Sequence, residues 1–244
     1  MAQGVAHLDY PTIPAYARAM EMEIVVPTEL SVMTLPKLAF FPQALLPLHI
    51  FEPRYRLMLK EVLASHRLFA VAGLNSSEAG QGYEPTHRIA TVGIVRACQE
   101  NDNGTSNLLL QGLARIEVLE ILREEPYRTI RVRPLLSQAG APDEDNLKLK
   151  TSLARLLSLR QRLSGESPGD FDRFLKTIED PDAYVDLAAF NLCEDAELKQ
   201  RLLETLSVHE RLRLFTRHLK QEVAQIRLRR LLQGPLTDEA IGNN

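Results

Sequence analysis

Residues 45–63 read LLPLHIFEPRYRLMLKEVL, and the hydrophobic period changes in the middle of this stretch. The short apolar run at 45–49 predicts a strand. Pro53 suits the first position of a helix because no backbone N–H is lost there, and apolar residues then recur at three-four spacing. These residues are Tyr55, Met58, Leu59, Val62 and Leu63. The stretch therefore predicts a strand that leads directly into a helix over 53–63.

The sequence around this stretch, from residue 30 to about 135, is typical of a β-rich region. Short apolar or alternating runs are separated by Pro, Gly and Asn, which favour turns. Asn103 and Gly104 tolerate positive φ and predict a tight hairpin turn. The predicted strands are 30–35, 45–49, 68–74, 89–99, 106–111, 114–122 and 127–133.

After residue 146 the hydrophobic period changes to 3.6, which predicts a bundle of helices. The segment 137–146 combines small, proline and acidic residues and is typical of a linker. Ser167 and Asp180, each followed by a proline, predict side-chain caps, and Ser207 with Glu210 predicts a capping box. The predicted helices are 147–163, 168–178, 181–192, 196–205 and 208–232.

Composition places the 244-residue chain among globular proteins, with 45% hydrophobic and 25% charged residues. The formal net charge of -3 argues against a surface committed to nucleic-acid phosphates. Two cysteines, Cys98 and Cys193, are too few for a disulfide framework and fit a reducing compartment. With 12 Gly and no Trp, the chain has few residues for glycine-built phosphate loops.

The first 28 residues contain three prolines and little periodicity, which predicts an irregular arm. They lack the basic start and apolar core of a signal peptide, and no later run is apolar for the ~20 residues that a bilayer crossing needs. We therefore expect a soluble, cytoplasmic protein without a membrane partner. The sequence leaves open whether translation begins at Met1, Met20 or Met22.

A search for catalytic motifs finds one literal match. Residues 165–169 read GESPG, a G-x-S-x-G around Ser167, with Asp182 and His209 downstream. The nucleophile elbow needs a preceding strand and a backbone N–H after the serine, whereas the preceding period is helical and Pro168 has no N–H. A P-loop, a dinucleotide motif and metal-ligand histidine spacing are absent from the sequence. We predict no catalytic, cofactor-binding or metal-binding residues.

The segment PLHIFEPRYRLM at 47–58 resembles the most characteristic segment of the substrate-recruiting, amino-terminal domain of ATP-dependent Lon proteases. Three further segments match in order, namely LFAVAGL, the run from 87 to 135, and LLETLSVHERLRLFTRHLKQEV. The resemblance covers about residues 28–233 and implies an α+β fold, in which a PUA-like β pseudo-barrel with one helix precedes a helical bundle. This architecture agrees with the boundary drawn from the change of period, and the predicted organisation is an arm at 1–28, a β-rich domain at 29–136, a linker at 137–146, a bundle at 147–234 and a tail at 235–244.

Lon proteases continue into an ATPase with a P-loop and a serine-lysine peptidase, and the 244 residues contain neither. The resemblance therefore implies a free-standing, non-catalytic module that binds unfolded or apolar protein segments, with an adaptor for a protease or chaperone system as one form of this role. Its oligomeric state is left open.

Seven residues carry the family motif, and we interpret them as structural. Phe51 and Tyr55 are expected to anchor the core, Pro53 to fix the helix entry, and Glu52 to pair with Arg54 or Arg56. The alternative is that the motif contacts a ligand directly. The seven are Pro47, Phe51, Glu52, Pro53, Arg54, Tyr55 and Arg56.

RNA binding is the alternative function, suggested by the PUA-like fold, the basic last helix and a candidate basic patch of Arg123, Arg128, Arg131 and Arg133. The 6% aromatic content and the acidic balance argue against it, because single-strand readers offer stacking platforms. Hydrolysis through Ser167 is a third hypothesis, and the sequence argues against it more strongly.

Overall fold

The structure is a computed structural model that describes residues 25–75, 85–165 and 167–233. These residues form a mixed α+β fold, as predicted, with the strands before the helical region. The predicted arm at 1–28 and tail at 235–244 lie almost wholly outside the described residues. The first part contains β1 (Glu29–Leu35), β2 (Leu45–Ile50), α1 (Pro53–Leu63), β3 (Leu68–Gly73), β4 (Ile89–Glu100), β5 (Ser106–Arg123) and β6 (Thr129–Leu135). The second contains α2 (Asp143–Ser164), α3 (Asp170–Thr177), α4 (Pro181–Leu192), α5 (Ala196–Glu204) and α6 (Val208–Gln233).

Five strands close into a barrel in the order β5, β4, β3, β1 and β6, because β6 pairs with both β1 and β5. The β1–β3 pair is parallel and the others are antiparallel. Strand β2 is outside this ring and pairs with the first part of β5, from Ser106 to Gln111. The same edge of β5 pairs with β6 from Arg115 onward. One edge of β5 therefore pairs first with β2 and then, further along the strand, with β6.

The prediction of two strands at 106–111 and 114–122 is wrong, because β5 runs without a break through Gly112. The residues before β2 lie against β5 at this point, where the Gln43 N–H donates to the Gly112 carbonyl and the Gly112 N–H donates to the Ala44 carbonyl. A Cβ atom on Gly112 would lie 2.1 Å from the carbonyl oxygen of Phe41. Glycine at this position therefore permits a close approach of two backbones and does not mark a turn.

Alternate residues of the barrel strands face two different cores. The barrel interior is filled by small and branched side chains: Leu30, Val32, Leu68, Ala70, Ala72, Ala90, Val92, Ile116, Ile130 and Val132. Their neighbours, including Met33, Phe69, Val71 and Val95, pack into a second core with α1 and the helical region. This second core draws side chains from both parts of the chain, so the division into domains at 29–136 and 147–234 stays a prediction.

The helical region is organised around α2 and α6, which lie side by side and run parallel. Asn146 Oδ1 lies 3.0 Å from His209 Nδ1 near their first turns, and Arg160 Nη1 lies 3.4 Å from Glu222 Oε2 near the end of α2. Because the contacts advance together along the two helices, the last turns of α6 extend past the end of α2. Three exposed leucines occur on those turns: Leu228, Leu231 and Leu232.

The predicted linker at 137–146 is wrong in its second half, since α2 begins at Asp143. The acidic residues that suggested a loop form the first helical turn, where negative charge is favoured by the helix dipole. The remaining residues are fixed, because the Gln138 N–H donates to the Leu206 carbonyl and the Val208 N–H donates to the Gln138 carbonyl.

The predicted cap at Asp180 is present, and the capping box predicted for Ser207 and Glu210 is present in its Ser207 half. The Asp180 carboxylate accepts hydrogen bonds from the N–H groups of Asp182 and Ala183, and the Ser207 hydroxyl accepts one from Glu210. The cap at Ser167 is wrong because α3 begins two residues later than predicted, after Gly169. There the Asp172 carboxylate accepts from the Gly169 N–H at 2.7 Å.

The family motif divides into buried and exposed residues. Tyr55 is a core residue, as predicted, and its hydroxyl accepts a hydrogen bond from the Thr34 N–H at 3.3 Å. Pro53 is the first residue of α1, and Glu52 pairs with Arg54 at 3.0 Å. The core role of Phe51 is wrong, because its side chain is 61% exposed. Phe51 lies between β2 and α1, so its four-residue spacing from Tyr55 does not place both on one helix face.

A buried ion network joins the barrel to the helices. The Arg115 guanidinium of β5 donates to both oxygens of the Asp186 carboxylate of α4, at 2.7 and 2.8 Å, and to the Leu203 carbonyl at 2.9 Å. Arg211 of α6 pairs with the same carboxylate and, at 2.8 Å, with Asp182. The side chains of Arg115, Asp186 and Arg211 are 2%, 3% and 0% exposed.

We expect Asp186→Ala to lower the free energy of unfolding by about 3–5 kcal/mol, because it leaves two buried guanidinium groups without their shared carboxylate. Urea unfolding followed by circular dichroism measures this loss. Glu120→Gln is the matched control, since Glu120 pairs with Arg131 on the surface and should lose about 0–1 kcal/mol. Equal losses in the two variants would contradict the role given to the buried network.

We expect Tyr55→Ala to lower the free energy of unfolding by about 3–5 kcal/mol, because it empties a buried aromatic site. Glu52→Ala should lower it by less than about 1 kcal/mol, since both partners of the Glu52–Arg54 pair are 41% exposed. Thermal and urea unfolding of the two variants measure the difference. A loss for Glu52→Ala as large as that for Tyr55→Ala would show that the exposed half of the motif is also a scaffold.

Candidate protein-binding face

Strands β2, β5 and β4 extend beyond the barrel as a three-stranded sheet. Leu45, Pro47 and His49 of β2 lie opposite Gln111, Leu109 and Asn107 of β5. On β4, Ala97 pairs with Leu109 and Gln99 with Asn107. These side chains share one face, as the hydrogen-bond contact between His49 Nδ1 and Asn107 Oδ1 at 2.7 Å shows.

This face continues the interior of the barrel. Ile94, which pairs with Gln111, packs against the barrel-interior core, and the residues that alternate with this face pack into the second core. Beyond Ile94 the face is uncovered in the described part of the chain. We call it the open sheet face and define it by Leu45, Pro47, His49, Phe51, Ala97 and Leu109.

The open sheet face is mainly apolar and exposed. Pro47, Leu109 and Ala97 form a continuous apolar row across the three strands, in which Pro47 and Ala97 are exposed and Leu109 is half-buried. Leu45 is 41% exposed, and the Phe51 ring stacks against His49 with 6.1 Å between ring centroids. Exposed apolar side chains that adjoin one another in this way are typical of interaction surfaces.

Pro47 determines how this sheet can bind. Among the described strands, β2 pairs only with β5, so its other edge is free. The Gly112 N–H donates to the Ala44 carbonyl, so the backbone polar groups of Ala44 face β5. Successive residues of an antiparallel strand face opposite edges, and the nitrogen of Pro47, three residues later, therefore faces the free edge. Proline has no N–H, so the edge lacks a donor in its middle and is a poor template for strand addition. The side-chain face is left as the binding surface.

Two arginines of the predicted basic patch pair with acidic residues of neighbouring strands. Arg131 pairs with Glu120 at 2.7 Å and with Glu29 at 3.4 Å, and Arg133 pairs with Glu117. The hydrogen bond from Arg133 holds the pKa of Glu117 below its ordinary value of 4.5.

The two other arginines of that prediction also have partners. Arg128 is 8% exposed and pairs with Glu124 at 2.9 Å, and Arg123 lies 5.1 Å from the centre of the Tyr127 ring. Each of the four arginines thus has a partner within this part of the chain, and their role in RNA binding stays a prediction.

The G-x-S-x-G residues do not assemble a catalytic site in the described part of the chain. Asp182 contacts Arg211, and His209 contacts Asn146. Cys193 is buried, which raises the pKa of its thiol. No group of His, Cys, Asp or Glu within the described ranges could hold a metal ion. No described helix is long and apolar enough to cross a membrane.

A shallow groove of about 240 Å³ lies elsewhere, between Pro85, Arg88 and the β5 segment from Val118 to Ile121. This volume is below the ~300–1,000 Å³ of small-molecule sites. We therefore take the open sheet face, with its exposed apolar side chains, as the candidate functional surface.

Known proteins with similar sequences include Lon proteases. Lon protease of Desulfosudis oleivorans is 25% identical over 94% of this chain, and Lon protease of Dictyoglomus thermophilum is 28% identical over 88%. The chain spans 28% and 27% of the length of these relatives.

Two solved structures share the fold at 18% sequence identity. The N-terminal domain of Mycobacterium avium complex Lon protease superposes with a TM-score of 0.59 over 80% of this chain and 98% of that domain. The Lon N-terminal domain protein from Xanthomonas campestris gives 0.56 over 77% and 96%. The sequence model of the ATP-dependent protease La (LON) substrate-binding domain matches residues 29–221, and the chain belongs to this family.

Proposed function

We propose that this chain is a protein-binding module that takes apolar segments of other polypeptides on the open sheet face. The observation that carries the proposal is the apolar row of Pro47, Leu109 and Ala97, flanked by the exposed Leu45 and Phe51. Membership of a substrate-binding domain family supports a binding role. The role as an adaptor for a protease or chaperone system is part of the same proposal.

The physical basis is burial of apolar area that is exposed in the free protein. A segment lying over the row would cover Leu45 and Phe51, and complete burial of such a side chain contributes about 1.5–3 kcal/mol. An unfolded segment can place its own apolar side chains along the face because its backbone is extended. The proline at the free edge favours this side-chain contact over strand addition.

The proposed action is binding without catalysis, in a reducing, cytoplasmic setting. Binding without catalysis is supported by the contacts of two candidate catalytic residues, since Asp182 contacts Arg211 and His209 contacts Asn146. A reducing setting is supported by Cys98 and Cys193, which are both free thiols.

The test measures binding of the full chain to reduced, carboxymethylated α-lactalbumin, which stays unfolded. We expect saturable binding by isothermal titration calorimetry. The double variant Leu45→Ala, Phe51→Ala should raise Kd about thirtyfold, because about 2 kcal/mol of apolar burial is lost from two partly exposed side chains.

The control is the double variant Leu119→Ala, Phe174→Ala. These side chains are 48% and 45% exposed, and neither belongs to the open sheet face. We expect its Kd to equal that of the wild type, and circular dichroism to show both variants folded. Equal weakening in both variants, or no binding by the wild type, would contradict the proposal.

A further inference from the structure

We infer that the open sheet face prefers apolar segments that carry acidic side chains beside their apolar residues. This inference rests on the proposed function and adds a substrate class to it. Its basis is a pair of arginines, Arg67 and Arg96, that lie where the open sheet face meets the barrel.

Arg96 is the extra residue of a β-bulge in β4, between Val95 and Ala97. Its Nε donates to Gln111 Oε1 at 2.7 Å, and Gln111 lies beside Leu45 on the same face. This bond fixes the guanidinium next to the apolar residues. The side chain is exposed, so its two Nη groups are left for a partner.

Arg67 reaches the same bulge from the start of β3. Its Nε donates to the carbonyl of Val95 at 3.0 Å, which places the second guanidinium beside the residue that precedes Arg96. Arg67 has φ 62, a left-handed conformation that is costly for a long side chain. Two exposed arginines therefore lie at one bulge, and each is held in place by a hydrogen bond from its Nε.

Neither guanidinium has a carboxylate within 4 Å in the described part of the chain. This separates them from Arg131 and Arg133 of the barrel, which carboxylates of neighbouring strands neutralise. A guanidinium presents paired N–H groups that match a carboxylate. The unneutralised charge of Arg67 and Arg96 is thus complementary to Asp or Glu side chains of a bound segment.

The charge is confined to one end of the open sheet face. Glu100 and Asp102 belong to the hairpin turn at the other end, about 13 Å along β4 from Arg96 at 3.3 Å per residue. Arg56 lies at that turn, because a Cβ atom on Gly104 would be 2.1 Å from its Nη2. The turn therefore carries two carboxylates against one guanidinium, and the cationic end of the open sheet face is the one at Arg67 and Arg96.

The test uses three unlabelled peptides with acetylated and amidated ends, which remove the terminal charges. All share the core Leu-Val-Phe-Leu-Val and carry two Asp, two Ser or two Lys at each end. By calorimetry at low salt we expect the Asp-flanked peptide to bind the full chain about tenfold more tightly than the Ser-flanked peptide. The Lys-flanked peptide should bind most weakly, and added salt should reduce these differences.

The double variant Arg67→Asn, Arg96→Gln should bind the Asp-flanked and Ser-flanked peptides equally, with the wild-type affinity for the Ser-flanked one. Asparagine is chosen at position 67 because it tolerates positive φ. The single variant Arg96→Gln, at an exposed position, should show part of the same loss. Arg131→Gln, Arg133→Gln is the control and should keep the wild-type preference.

Equal binding of the Asp-flanked and Ser-flanked peptides to the wild type would overturn the inference and leave the proposed function intact. A preference that persists in the Arg67→Asn, Arg96→Gln variant would also overturn it. Absence of binding for all three peptides would overturn the proposed function itself.

Discussion

The carboxylate of Asp186 holds the two parts of the structure in one arrangement. It accepts two hydrogen bonds from Arg115 of the barrel and pairs with Arg211 of α6, away from water. Removing these charges from water carries a large penalty, so the network is favourable only with its full set of partners in place. Arg211 also bonds the Ser137 hydroxyl at 2.9 Å, which fixes the connection between β6 and α2.

This constraint positions the open sheet face through β5. Arg115 lies near the middle of that strand, whose later part closes the barrel with β6 and whose first part carries β2. In the barrel, small side chains meet across a filled interior. Where β4 and β5 extend past the other strands, the same face has no opposing strand among the described residues. The apolar row at Pro47, Leu109 and Ala97 is therefore a continuation of the barrel interior that is exposed to solvent.

The elements that could be predicted from the sequence are those whose structure depends on residues close to one another along the chain. The helix that begins at Pro53 is confirmed, because a proline at its first position and a three-four apolar stripe both act within a few residues. The fold class follows from the change of period after the strands. The sequence does not predict the first turn of α2, because acidic residues favour both loops and helix starts. It does not predict the continuity of β5 through Gly112, because the close contact of this glycine is with a residue distant in sequence.

The binding face was harder to predict, because the partners that decide exposure lie on other strands. The hydrophobicity of Phe51 suggests a core residue. Its position, however, continues the alternation of residues 45, 47 and 49, which are the exposed residues of β2. This period of two is the sequence signal that predicts the exposure of Phe51. The surroundings of the predicted basic patch depend on other strands in the same way, since Glu117 and Glu120 pair with Arg133 and Arg131 across strands. Which arginines stay unpaired can be read only from the pairing of the sheet.

The open sheet face is the surface through which we propose that this chain binds other polypeptides. Amide chemical-shift mapping of the ¹⁵N-labelled full chain, titrated with the Ser-flanked peptide, examines all regions of the chain in one experiment. We expect the perturbed amides to concentrate at residues 45–51, 96–99 and 107–111. Perturbations confined to the exposed leucines at 228–232, or to the paired arginines of the barrel, would show that another surface binds the peptide.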